Sequence, residues 1–230
     1  LKFWGNSETP SVSLEDFERR QFDGLIDKIN RVPAAWEDTE KRDRGTAFNE
    51  VVDCIIMNCT SPKMEIVSNK NAGTITTMYR DRAFIFPISI CREFANYFNA
   101  ATPQVFCEGV LPTKCGNVRL YGYIDEVMPT RVHDIKVTGS YDAWKFKDKW
   151  QRVVYPFCMN EMGARITDFE YNILLVKESK TAPPVYETLT EYYNYTEGDK
   201  MNLTAFVEDF TAFLESNRHL ITDTKIFNQS

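Results

Sequence analysis

Apolar positions recur at helical spacing in several stretches of this chain and alternate at strand spacing in the stretches between them. Ser13 reads as an N-cap, with Asp16 three residues on. It opens a helix over about Leu14 to Asn30 whose apolar face includes Phe17, Leu25, Ile26 and Ile29. Residues 33 to 44 are polar and charged, as in a linker or lid. Gly45 then opens a helix over about Thr46 to Met57, with Phe48, Val51, Val52, Ile55 and Ile56 on one broad side. Gly73 to Ile90 is rich in Thr, Ile, Tyr and Phe and predicts two strands. A helix over Ile90 to Ala101 follows, then strands over Val105 to Leu111, Val118 to Val127 and Val132 to Thr138. The pattern next predicts a long helix from Tyr141 to Met162, with Pro156 expected to kink or end it. Strands at Ile166 to Val176 and Tyr186 to Tyr195 precede a last helix over Leu203 to Ser216. Residues 1–12 hold Gly, Pro and Ser and read as a loosely attached segment. Residues 13–230 read as one α/β domain with a mixed central sheet and flanking helices.

Composition narrows the classes of function. The chain has 230 residues, 43% of them apolar and 26% charged, which excludes wholesale disorder. The longest largely apolar run, Ala83 to Cys91, already contains Pro87, and a membrane-spanning helix needs about 20 residues, so none is expected. A net charge of −6 argues against a basic coat for nonspecific nucleic-acid binding but leaves room for a local basic strip. Six scattered cysteines without a C-x-x-C pair, and only two histidines, fit a cytoplasmic protein and not a zinc site. The N-x-[ST] matches at Asn58, Asn194 and Asn202 read as chance.

The chemistry concentrates in Val118 to Thr138. Met128-Pro129-Thr130-Arg131 makes a four-residue turn with Pro at its second position. A hairpin centred there sets Val127 opposite Val132, Asp125 opposite Asp134 and Ile124 opposite Ile135. Alternation then gives a core face of Val118, Leu120, Gly122, Ile124, Ile135 and Val137, and a second face of Tyr123, Asp125, Asp134 and Lys136. Facing carboxylates destabilise a sheet unless a positive charge sits between them. Lys136 is one such charge and a divalent cation another, because hard cations take carboxylate oxygens. In the helix that follows, Lys147, Gln151 and Tyr155 are spaced four apart, beside an apolar stripe of Phe146, Trp150, Val153, Val154 and Phe157. Lys145, Lys149 and Arg152 add positive charge, and the set suits phosphate-backbone contacts.

Gly122-Tyr123-Ile124-Asp125, then Asp134-Ile135-Lys136, then Gln151-Arg152-Val153-Val154-Tyr155 resemble the G-x-x-D, [DE]-x-K and Q-x-x-x-Y elements of the PD-(D/E)XK nuclease superfamily, in its RecB-like exonuclease branch. The resemblance runs from about Ser13 to Val176. It implies a restriction-endonuclease-like core and a Mg2+- or Mn2+-dependent deoxyribonuclease acting in recombination, repair or the processing of phage or mobile-element DNA. Asp125 and Asp134 would bind the metal, with help from the Ile135 carbonyl. Lys136 would position the attacking water. Gln151, Tyr155, Lys147 and Arg152 would hold the DNA.

The family's upstream G-x-x-x-H-x-x-x-E is similar to Gly45 to Asp53, with Asn49 at the histidine position and Asp53 at the glutamate position. Asn49, Glu50 and Asp53 therefore stand as alternative third ligands, and Glu108 is a further acid for the site. The absence of cysteine after Cys158 leads to the expectation of no iron–sulfur cluster. Three other readings remain open: an endonuclease on the same fold, a catalytically weak nucleic-acid-binding module, and an α/β protein whose acid pair holds Ca2+ structurally.

Overall fold

The turn forms as expected. Met128 N–H donates to the Arg131 carbonyl at 2.8 Å, and Arg131 N–H returns the bond to Met128 at 3.4 Å. The computed structural model describes residues 13–33, 39–179 and 181–227, so the loosely attached segment expected over residues 1–12 lies outside the described residues, as does part of the expected linker or lid, at 34–38. Along the chain run α1 (Leu14–Ile29), α2 (Glu40–Met57), β1 (Glu65–Asn69), β2 (Thr74–Tyr79), β3 (Arg82–Pro87) and α3 (Ile88–Tyr97). They are followed by β4 (Thr102–Thr113), β5 (Gly116–Val127), β6 (Arg131–Thr138), α4 (Gln151–Glu161), β7 (Asp168–Lys177), β8 (Val185–Asn194) and α5 (Glu197–Ser216).

The chain divides into two compact units. The smaller takes in the described residues of Leu1–Glu37 and Asp209–Ser230, the larger Asp38–Glu208. In the smaller unit, Ser13 Oγ accepts from Asp16 N–H and caps α1. Phe22 meets Phe213 edge-on at 6.0 Å. Asn30 ties down the tail, accepting from Thr222 N–H at 2.7 Å and donating to the Leu220 carbonyl at 2.9 Å.

The larger unit holds a five-stranded sheet in the order β4-β5-β6-β7-β8 and a separate antiparallel sheet β1-β2-β3. β6 and β7 pair in parallel and the other neighbours antiparallel, so the five-stranded sheet is mixed, as expected. β7 is buried along almost its whole length, the mark of a central strand covered on both faces. Its neighbouring residues Leu174 and Ile173 enter different apolar clusters. In one, Phe48 of α2 meets Phe86 at 5.2 Å and Phe94 of α3 at 5.0 Å, both edge-on. In the other, Val153 and Phe157 of α4 pack with Ile124, Phe169, Tyr171 and Leu203.

Several boundaries differ from the sequence reading. α2 starts at Glu40, inside the stretch read as linker, with Asp43 already buried. β1 was not expected; its exposed polar residues hide the strand pattern. The largest change is at the helix expected from Tyr141, which begins only at Gln151. Trp144 sits in the left-handed region at φ 63, and Phe146 N–H points to the Glu191 carboxylate at 3.3 Å, so residues 141–150 form turns. Lys147 is therefore not on the helix with Gln151 and Tyr155. Pro156 does not end α4, which continues to Glu161 with Phe157 and Cys158 buried beyond it. Among the described residues no helix is long and apolar enough to cross a membrane.

α4 lies hard against β5. A Cβ at Gly122 would meet the Tyr155 ring at 2.8 Å. Gly122→Ala is expected to cost about 1–3 kcal/mol through overpacking, read as a lower denaturation midpoint with an unchanged slope.

Candidate active site

The site lies where β5 and β6 part. Their ladder holds the expected register at Val127↔Val132 and Glu126↔His133 and then ends. Asp125 and Asp134 are therefore not a cross-strand pair. Instead Asp125 Oδ2 accepts the Ile135 backbone N–H at 2.8 Å, so a side chain takes the place of a sheet carbonyl. The single core face expected from Val118 to Val137 divides in consequence: Ile124 belongs to the cluster under α4, and Ile135 to the cluster under α2. On β4 the ladder opposite β5 skips Gln104, whose φ is 53, so the backbone is also irregular across from Asp125.

Asp134 is 4% exposed and held from two sides. Lys136 Nζ lies 2.6 Å from its Oδ2. Gln151 Nε2 donates to its Oδ1 at 2.6 Å. The same amide accepts from Lys136 Nζ at 2.9 Å and faces Tyr155 Oη at 3.2 Å. Lys136 also sits over the Tyr171 ring at 5.6 Å. The structure thus brings together Asp125, Asp134, Lys136, Gln151 and Tyr155, each named from the sequence.

α2 brings further acids to the same region. Asp53 is 2% exposed, and the Glu126 carboxyl and the Gln104 side chain lie beside it. Glu126 is fully buried. Sequence reading missed it, although an acid that alternation sends to the side opposite Asp125 was the available signal. Burial, then the nearby charges of Asp53 and Asp125, push Glu126 up to about 9. Burial also raises Asp53 to about 6. For Asp125, burial and then the Asp134 charge raise it to about 7, against the opposing Ile135 N–H and Lys136. Burial raises Asp134 too, with Lys136 and Gln151 opposing. Negative charge here is under-compensated.

Other candidates are committed elsewhere. Glu50 accepts from Ser61 Oγ at 2.7 Å and Lys63 Nζ at 2.8 Å. Glu108 pairs with Arg119 Nε at 2.9 Å on an exposed strand face. Arg152 donates to the Lys147 carbonyl at 2.7 Å and to Asp199 at 3.1 Å, and stacks over Tyr193, so it braces the fold. Lys147 is exposed.

A hard cation can be tested against these groups. Among the described residues no three His, Cys, Asp or Glu side chains gather as a ready metal cluster. Mg2+ does not need one, since it is commonly held by one or two carboxylates and keeps waters. Asn49 Oδ1 and Asp53 Oδ1 are buried with no hydrogen-bond partner. Oxygen donors in an acidic site with orphaned acceptors suit Mg2+ or Mn2+.

No family model matches the sequence, and no curated protein matches it. Among solved structures, SSO0001 matches at 13% identity and TM-score 0.39, over 55% of this chain and 56% of that one. The chain thus spans little more than half of that relative. A candidate exonuclease from Eubacterium rectale matches at 12% identity and TM-score 0.43, over 96% of this chain and 95% of that one.

The raised acids dictate a pH trend. An acid whose folded value is raised binds more protons folded than unfolded, so its stability contribution is full below the unfolded value and is lost as pH rises through the folded one. Metal-free protein should melt at falling temperature as pH climbs from about 4, through about 6 and 7 for Asp53 and Asp125, to about 9 for Glu126. Glu126→Gln should remove the last part of that fall and be more stable than wild type near pH 9, by several kcal/mol. Thermal melts across pH with chelator check both.

Proposed function

We propose that this chain is a metal-dependent deoxyribonuclease with a restriction-endonuclease-like core of the PD-(D/E)XK type, hydrolysing phosphodiester bonds in DNA and acting as an exonuclease. The observation that supports the reading is the Lys136 ammonium, bridged to Asp134 and to the Gln151 amide beside Asp125 at the parting of two strands. Asp125, Asp134 and the Ile135 carbonyl would hold Mg2+ or Mn2+, with Asn49 or Asp53 completing the oxygen set. When bound, the ion supplies Lewis acidity for the phosphoryl oxygens and acidifies water.

The chain's own residues have separate tasks in this reading. Asp125 and Asp134 carry the negative charge that places the cation. Lys136 is 26% exposed at its side chain, and there it can orient the attacking water and offset charge on the phosphate. Gln151 and Tyr155 face the same spot from α4 and position the strand by its backbone, with exposed Lys147 as a further phosphate contact. Arg152, held by Asp199, is left out of that set.

One alternative has its own support. Asn49 in place of a stronger ligand favours a nucleic-acid-binding module of little activity. End-labelled linear DNA with Mg2+ or Mn2+, wild type beside Lys136→Ala, decides between them. The expected outcome is cleavage that falls by about 100-fold or more in the variant. No cleavage by wild type on single or double strands transfers the reading to the binding module. Equal cleavage by both proteins rejects the hairpin site. Closed circular DNA in the same assay separates exonuclease from endonuclease.

A further inference from the structure

The hairpin of β4 and β5 is covered on one side only. Cys107, Leu111 and Ile124 are buried under α4, and Gly109 and Gly122 lie against Phe157 and Tyr155. Alternation puts Phe106, Glu108 and Val110 of β4 on the opposite side with Arg119, Tyr121 and Tyr123 of β5. Phe106 faces Tyr123 directly across the ladder, and Glu108 faces Tyr121. These apolar residues are bare: Tyr121 and Tyr123 are each 64% exposed, Val110 47% and Phe106 38%. The rings form a set, with Phe106 at 5.3 Å from Tyr123 and 6.5 Å from Tyr121. The strip runs toward the acids, because Asp125 lies two residues beyond Tyr123 along β5, at the point where β5 parts from β6.

We propose that this face is a stacking platform for an unpaired DNA strand and delivers it along β5 to Asp125. Rings presented at two-residue intervals along a strand offer successive faces to bases, and base–aromatic stacking is indifferent to sequence. The side chains are amphipathic: two of the three rings carry a hydroxyl that stays in water, which suits a ligand with apolar bases and a solvated backbone. Arg119, already paired with Glu108, lies farther along the strip from the acids and offers its guanidinium plane as a further stacking surface. A duplex keeps its base faces stacked inside, so the platform selects frayed or single-stranded ends. The proposal rests on the nuclease reading only for the destination of the strand; the platform itself is read by binding.

The test is fluorescence anisotropy of labelled oligo(dT) with the full chain in chelator, where cleavage cannot occur. Wild type should bind oligo(dT) more tightly than a blunt duplex. Tyr121→Ala with Tyr123→Ala should weaken oligo(dT) binding by about tenfold or more, and the corresponding pair of changes to Phe should hold it within about twofold. Phe106→Ala, at the other edge of the set, is the independent variant and should also weaken it. The proposal is overturned by wild type that does not bind oligo(dT), by an alanine pair that binds as well as wild type, or by tighter binding of oligo(U) RNA. It is equally overturned by a wild-type dimer that the alanine pair dissolves, which gives the face to a second copy. Tyrosine-dependent binding without any cleavage in Mg2+ or Mn2+ keeps the platform and removes the nuclease reading. Cleavage with tyrosine-independent binding does the reverse.

Discussion

Buried negative charge is the constraint around which the larger unit is arranged. Asp53, Glu126 and Asp134 are almost wholly buried, and Asp125 stands between them. An uncompensated carboxylate in such surroundings either binds a proton or finds a cation. Lys136 answers for Asp134 directly, and the Ile135 N–H answers for Asp125. Glu126 and Asp53 lie side by side, and burial holds both above the ordinary carboxylate range. The sheet concedes geometry to this arrangement. β5 and β6 give up their ladder after Glu126↔His133 so that a side chain can enter between them. The strong parallel pairing of β6 with β7, which runs from Arg131 to Thr138, then holds the parted strand in place.

Much of the fold was legible in the chain because its periodicities are strong. Every strand of the five-stranded sheet was anticipated within a few residues, and the Met128 to Arg131 turn set the register of β5 against β6 at its first two pairs. The failures have local causes. The stretch from Tyr141 to Trp150 has helical spacing, but Trp144 takes a left-handed backbone and Phe146 is bound by Glu191, a residue distant in sequence. β1 shows no alternation because most of it faces solvent.

The site was legible in its side-chain types more than in its geometry. Asp125, Asp134, Lys136, Gln151 and Tyr155 converge, and the i, i+4 spacing of Gln151 and Tyr155 survives on a helix shorter than expected. A regular two-strand hairpin could not foretell that Asp125 would reach into a gap between strands. Arg152 was legible as a cation but not as a partner of Asp199, forty-seven positions away. Glu126 was hidden by its neighbour, since two successive acids on a strand look like one functional residue and one solvated residue. Here both turn inward.

Gln151 has a consequence of a different kind. Its amide donates to a carboxylate and accepts from an ammonium at once, which neither a carboxylate nor an ammonium can do. The opposite charges on its two sides fix which end of the amide points where. Because Gln151 is the first residue of α4, this adaptor also sets the helix in rotation: Tyr155 comes round beneath it to meet Gly122, and Arg152 turns outward to Asp199. A neutral side chain thus indexes a whole helix to the charges of a neighbouring strand, so that the packing of α4 and the chemistry of β6 stay in step.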